Sequence, residues 1–327
     1  MKPLIPFPKS NYFRAKARQL LSETPGIYAL FLIPITVSLT NIIILVIHSQ
    51  KQGAGDSASM MNPGQLYALF FRTTSFSIVL SFVLAIALAS IIFRTIELVR
   101  KQTEIVSFKD SLRGFQSDLI GKVFVTVLVK SLLLFLWSLM WTLSITAFSL
   151  GVFIYVLMWF IVAINGGIEH WGSIVSQSFD QLSNTFNSDY LFNNGLLAVA
   201  IIAIIVSIPF AIIGLSIYLP KYYAYSQTEW VLYDQIAEGR YAGSLEVIRE
   251  SKQLMKGYKW KRFKLDFSFI GWYILTGLTL GLVGIYVIPY QTLAATVFYE
   301  ELRSTKGTDL AFESNSNNTV ISSSIEQ

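Results

Sequence analysis

At 327 residues, with 53% hydrophobic and only 14% charged side chains, the chain is too apolar for an ordinary soluble domain, in which charged residues approach a quarter. Its formal charge of +5 is distributed so unevenly that position says more than the total, and the absence of cysteine excludes disulfides and thiolate metal sites. The class that fits is an all-α polytopic transmembrane bundle: Thr24 to Gln50, Thr73 to Phe93, Ser131 to Ile168, Tyr190 to Pro220 and Phe267 to Tyr299 carry no charge, and each exceeds the roughly 18 residues that mark a spanning helix.

In chain order, NYFRAKARQLL from Asn11 places Phe13, Ala17, Leu20 and Leu21 on one helical side and Arg14, Lys16 and Arg18 elsewhere, the pattern of a helix lying on a membrane surface. Ile27 to Ile47 is longer than a signal-peptide core and has more than twenty residues before it, so it reads as a retained first span, with Asn41 as an interhelical hydrogen-bond partner. The connection KQGAGDSASMMNPG has a single Lys and turn formers, and reads as external. Ser81, Ala85 and Ala89 on the second span would let another backbone approach closely. Arg94, Arg100, Lys101, Lys109, Arg113 and Lys122 then crowd one connection, which should be cytoplasmic.

Ser131 to Ile168 would measure about 57 Å as one helix, against a hydrocarbon core of about 30 Å. No Lys or Arg occurs between Lys130 and Lys221, so charge asymmetry argues for one crossing. The expected helix runs from about Gly121 to Phe148, breaks near Ser149 to Gly151, and continues as a tilted piece. Lys130 should snorkel to an interface. An extracytoplasmic insertion is expected at about 166–192, where Glu169, Asp180 and Asp189 lie.

The segment from Lys221 to Lys264 supplies nine more basic residues and should be cytoplasmic, with a basic amphipathic part at about 236–264. In SLEVIRESKQLMKG, residues Val247, Ile248, Ser251, Leu254, Met255 and Tyr258 form one helical stripe, and Gly257 is the expected stop. Then Lys256, Lys259, Lys261, Arg262 and Lys264 interleave with Tyr258, Trp260 and Phe263. Cations can meet anionic lipid headgroups while rings sit at the interface, so Lys256, Lys259, Trp260, Lys261, Arg262 and Lys264 are the headgroup anchor candidates. Asp266 and Asp234 are the carboxylates nearest the membrane, and with Asn41 and Lys130 they are the candidate intramembrane polar residues.

Phe267 to Tyr299 is too long for one span, and TLGLVG from Thr279 offers a turn that makes two short helices. The count becomes about six spans with both ends cytoplasmic; five or seven remain open. Residues 1–303 then form one membrane-embedded domain, and the Ser- and Asn-rich tail 304–327 reads as disordered.

The catalytic inventory is thin. Only His48 and His170 are present, without an H-E-x-x-H arrangement, a P-loop, G-x-S-x-G or a dinucleotide fingerprint. No metal or other cofactor site is legible, and a nucleic-acid duplex has little room beside a bilayer.

The stretch SKQLMKG from Ser251, KWKRFKLDFSFIGW from Lys259, PY at Pro289 and FYEEL at Phe298, with a Tyr nine residues before Asp234, resembles the C-terminal signature of a bacterial integral-membrane family, domain of unknown function 975. RAKARQLL resembles the family's start, whereas SIPFAIIGL from Ser207 departs from its usual inter-helix turn. The resemblance implies a multi-helix cytoplasmic membrane protein and no activity, and favours the hairpin in the last stretch. The expected role is a non-enzymatic membrane protein of the bacterial envelope, a scaffold or accessory subunit of an export or envelope system. Its expected partners are anionic membrane lipids and other membrane proteins. The alternatives are a small permease for a hydrophobic or lipid-like solute and, third, a membrane-embedded enzyme.

Overall fold

The structure, a computed structural model, describes residues 7–37, 63–166 and 195–325. Its elements are α1 (Ser10–Glu23), α2 (Ile27–Leu30), α3 (Pro63–Val99), a 3-10 helix (Phe108–Phe115), α4 (Ile120–Gly166), α5 (Gly195–Ala224), α6 (Thr228–Ala237), α7 (Ser244–Leu254), α8 (Lys259–Phe267), α9 (Ile270–Leu278) and α10 (Gly284–Ile325). Among the described residues there is no strand. Three stretches, Leu80–Val99, Ile120–Val156 and Ala200–Ala237, are long and apolar enough to cross a membrane. Asn41, the part of the expected first span from residue 38 onward, and the expected extracytoplasmic segment from residue 167 lie outside the described residues.

Contacts divide the chain into two compact units, Met1–Ser131 with Tyr223–Gln327, and Leu132–Tyr222, where the sequence reads as one domain. The core of the first gathers Ile86, Ala89, Ile92, Phe93 and Ile96 of α3, Val123 and Val127 of α4, Trp230 to Leu232 of α6, Val247 of α7, and Ala295 and Tyr299 of α10. Around this core the amphipathic stripes are covered by protein. On α1, Phe13, Ala17 and Leu21 are buried, with the Phe13 ring 5.3 Å from Phe298 of α10. On α7, Val247, Ile248 and Ser251 are buried, and Ser251 donates to the Ala224 carbonyl at 3.0 Å. The helical periods were legible; the surface that covers these stripes is the protein's own core.

Two backbone features join the first unit. Gly26, at φ +79°, sits so close to the Val106 carbonyl that a Cβ would lie 2.2 Å from its oxygen, a position and conformation that only glycine tolerates. At the expected hairpin, Leu280 and Gly281 adopt φ +48° and +85°, and Gly281 N–H bonds the Thr276 carbonyl at 2.7 Å while Leu280 N–H bonds that of Gly277. This paired closure ends α9. Trp272 then stands 5.4 Å from Tyr286, so α10 returns beside α9. Helical backbone continues to Ile325, through the tail whose composition reads as disordered.

In the second unit the expected break at Ser149 to Gly151 is absent, because α4 runs unbroken through it. Gly151 is instead a contact point: a Cβ there would lie 2.8 Å from the Ala200 carbonyl oxygen, and one on Gly214 would lie 2.7 Å from the Trp141 backbone nitrogen. Residue 151 beside 200 and 141 beside 214 makes α4 and α5 antiparallel neighbours at close approach, as small residues permit. Large apolar side chains on both helices, among them Leu132, Phe135, Phe153, Ile205, Phe210 and Ile212, are exposed. That arrangement suits contact with hydrocarbon rather than water.

Candidate cationic site

The cationic site grows from the α7 to α8 connection. Helix α7 ends at Leu254, and Gly257, at φ +85°, turns the chain into α8. The expected stop at Gly257 therefore marks the turn, three residues past the helix end. On α8 the 3.6-residue period separates the basic run into unlike positions. Lys256 and Lys264 are exposed and Lys259 is half-buried. Lys261 stands over the rings of Phe7 and Tyr258 at 4.5 and 4.6 Å, and burial lowers its pKa. Lys264 lies 5.8 Å from the Trp260 ring.

Arg262 is only 7% exposed. It faces Phe298 at 5.7 Å and pairs with Asp266 at 3.3 Å, so it is a core cation. Asp266 also accepts a hydrogen bond from Tyr223; burial raises its pKa, and Arg262 only partly offsets this.

Between α7 and α8 lies a pocket of about 610 Å³ lined by Arg249, Lys252, Lys256 and Lys259, with Gln253, Gly257 and Trp260. Arg249 pairs with Glu246 at 2.7 Å. Among the described residues, Lys252, Lys256 and Lys259 form no ion pair. Trp260, 64% exposed, stacks on Phe263 at 4.7 Å, and Phe263 on Phe267 at 5.9 Å, a row of rings leading away from the pocket.

Asp234 belongs to a different constellation. It is 1% exposed, pairs with Arg100 at 2.8 Å and Arg303 at 3.2 Å, and accepts the Tyr299 hydroxyl at 2.5 Å. Arg100 continues to Glu300 at 2.7 Å. Burial opposes the Arg100 charge, but hydrogen bonds to Glu300 and Asp234 outweigh it and raise its pKa. Arg303 reaches Glu238, which pairs with Arg240; Arg240 contacts Glu250 at 2.6 Å, and Gln235 donates to Glu250 at 2.7 Å. The hydrogen bond from Arg240 lowers the Glu238 pKa.

A second knot centres on Glu97, held by Arg94 at 2.7 Å, Arg113 at 2.5 Å and the Tyr233 hydroxyl at 3.2 Å. The Lys130 ammonium is held by both Glu229 oxygens at 2.6 and 2.8 Å. Charges held in this way tie one helix to another.

The sequence singles out Asp234, Asp266 and Lys130 without their partners. Arg100 and Tyr299 lie 134 and 65 residues from Asp234, beyond any local pattern. Arg249 and Lys252 were missed as pocket residues. The available signal was their place on the polar side of α7, facing the turn at Gly257.

The geometry defines a class: an all-helical protein with membrane-length apolar helices, a core laced by ion pairs, and a cationic pocket at the end of two short helices. The chain matches the model of a family described as protein of unknown function (DUF975) over residues 9–306, and it belongs to that family. No curated protein and no solved structure matches it.

Proposed function

We propose that this chain is a non-enzymatic integral membrane protein of the bacterial envelope, a scaffold or accessory subunit of an export or envelope assembly. Its basic connections and both termini face the cytoplasm. The observation that carries this reading is the closed core of the first unit, where Asp234, Glu97 and Glu229 are each held by basic side chains. A permease needs polar groups along a path that a solute can enter, whereas these groups hold one helix to another. The exposed apolar faces of α4 and α5 supply surface for lipid or for a membrane partner.

Reconstitution tests the choice between scaffold and permease. The full chain, sealed into vesicles loaded with a hydrophobic dye or a short-chain fluorescent lipid, should leave passage across the bilayer at the level of empty vesicles. A saturable increase above that level would establish the permease instead.

A further inference from the structure

We propose that the pocket between α7 and α8 binds the phosphate-bearing headgroup of an anionic membrane lipid, as a discrete site with one lipid per chain. The proposal rests on the membrane reading above and names the ligand class of its cationic face. Two short helices bring Arg249, Lys252, Lys256 and Lys259 around one pocket. The three lysines find no carboxylate among the described residues, and Glu246 on Arg249 is the one acid paired there. Gathering like charges is unfavourable unless an anion fills the space between them. A phosphate suits it, since its oxygens accept charge-assisted hydrogen bonds from several donors at once.

The volume, about 610 Å³, lies within the range of small-ligand sites. The row Trp260, Phe263, Phe267 begins at the pocket wall and continues along α8, an apolar track on which an acyl chain can lie. Free phosphate has no use for that track, so the lipid is the source the geometry favours. Lys261 and Arg262 take no part, being committed to Phe7, Tyr258 and Asp266. The basic run therefore divides between core and ligand and is not an even coat of charge.

Isothermal titration of the full chain in a nonionic detergent with dioctanoyl phosphatidylglycerol tests this. Binding should saturate at one lipid per chain. K256Q/K259Q should weaken it by about tenfold or more, from roughly 1 kcal/mol per basic residue, and K101Q/K109Q, equal in charge and elsewhere on the surface, by less than about twofold. W260L should weaken lipid binding further than it weakens binding of inorganic phosphate. Equal losses in the two double variants would show diffuse attraction and overturn the site. Inorganic phosphate binding as tightly as the lipid would overturn the lipid assignment. Thermal midpoints confirm that each variant is folded. Carbonate washing of the source membranes keeps the premise separate: a chain removed by carbonate defeats the membrane reading, whereas a carbonate-resistant chain without saturable binding defeats only this site.

Discussion

Asp234 is 1% exposed yet faces two guanidinium groups and a phenol. Removing Asp234 leaves Arg100 with Glu300 and Arg303 with Glu238, so the loss is that of charge-assisted hydrogen bonds at a buried site, about 1.5–3 kcal/mol each. D234A should therefore lower the thermal midpoint sharply, whereas R249Q, which breaks an exposed pair within one helix, should cost about 0.5 kcal/mol or less. Asp266 carries the opposite sign. Burial raises its pKa above the ordinary 3.8, so the native state binds the proton more tightly than the unfolded chain does. Stability is then greatest where Asp266 is protonated, and it declines as pH rises from about 3.8 through the raised native value. D266N should remove this contribution: thermal melts from pH 4 to pH 7 should show the variant gaining on the wild type as pH rises. Both acids stand out in the sequence because few charges lie near the apolar stretches, but the partners of Asp234 come from the residue after α3 and from α10, and only folding brings them together.

Helical period made the buried stripes of α1 and α7 legible, and the excess length of the last apolar stretch with TLGLVG did the same for the turn between α9 and α10. It did not say what would cover the stripes, since lipid and protein cover an apolar face equally well. The misread element was Gly151, where composition suggests a break and the helix continues, because a glycine facing Ala200 serves contact as readily as bending. At Gly277 a Cβ would meet nothing within 4 Å, whereas Gly281 takes the positive φ of the turn. Alanine at Gly214 would lie 2.7 Å from Trp141 backbone, which cannot yield as a side chain can. G214A should destabilise α4 and α5 packing by about 1–3 kcal/mol, read as a lower thermal midpoint. G271A on α9, where a Cβ meets nothing within 4 Å, should be neutral or stabilising by up to about 1 kcal/mol.

At the scale of the molecule, the apolar excess points to a membrane protein, and the position of Lys and Arg is the ground for the proposal that its basic connections face the cytoplasm. Three membrane-length stretches are present among the described residues; the six-span count and the orientation rest on charge distribution. Because the chain has no cysteine, single cysteines report orientation without background. The decisive measurement is labelling of intact cells with an impermeant thiol reagent, using D180C for the external segment and E104C and Q253C for the two basic connections. D180C should label on intact cells, and E104C and Q253C only after permeabilisation. Equal labelling of all three, or labelling of the basic connections alone, would contradict the account.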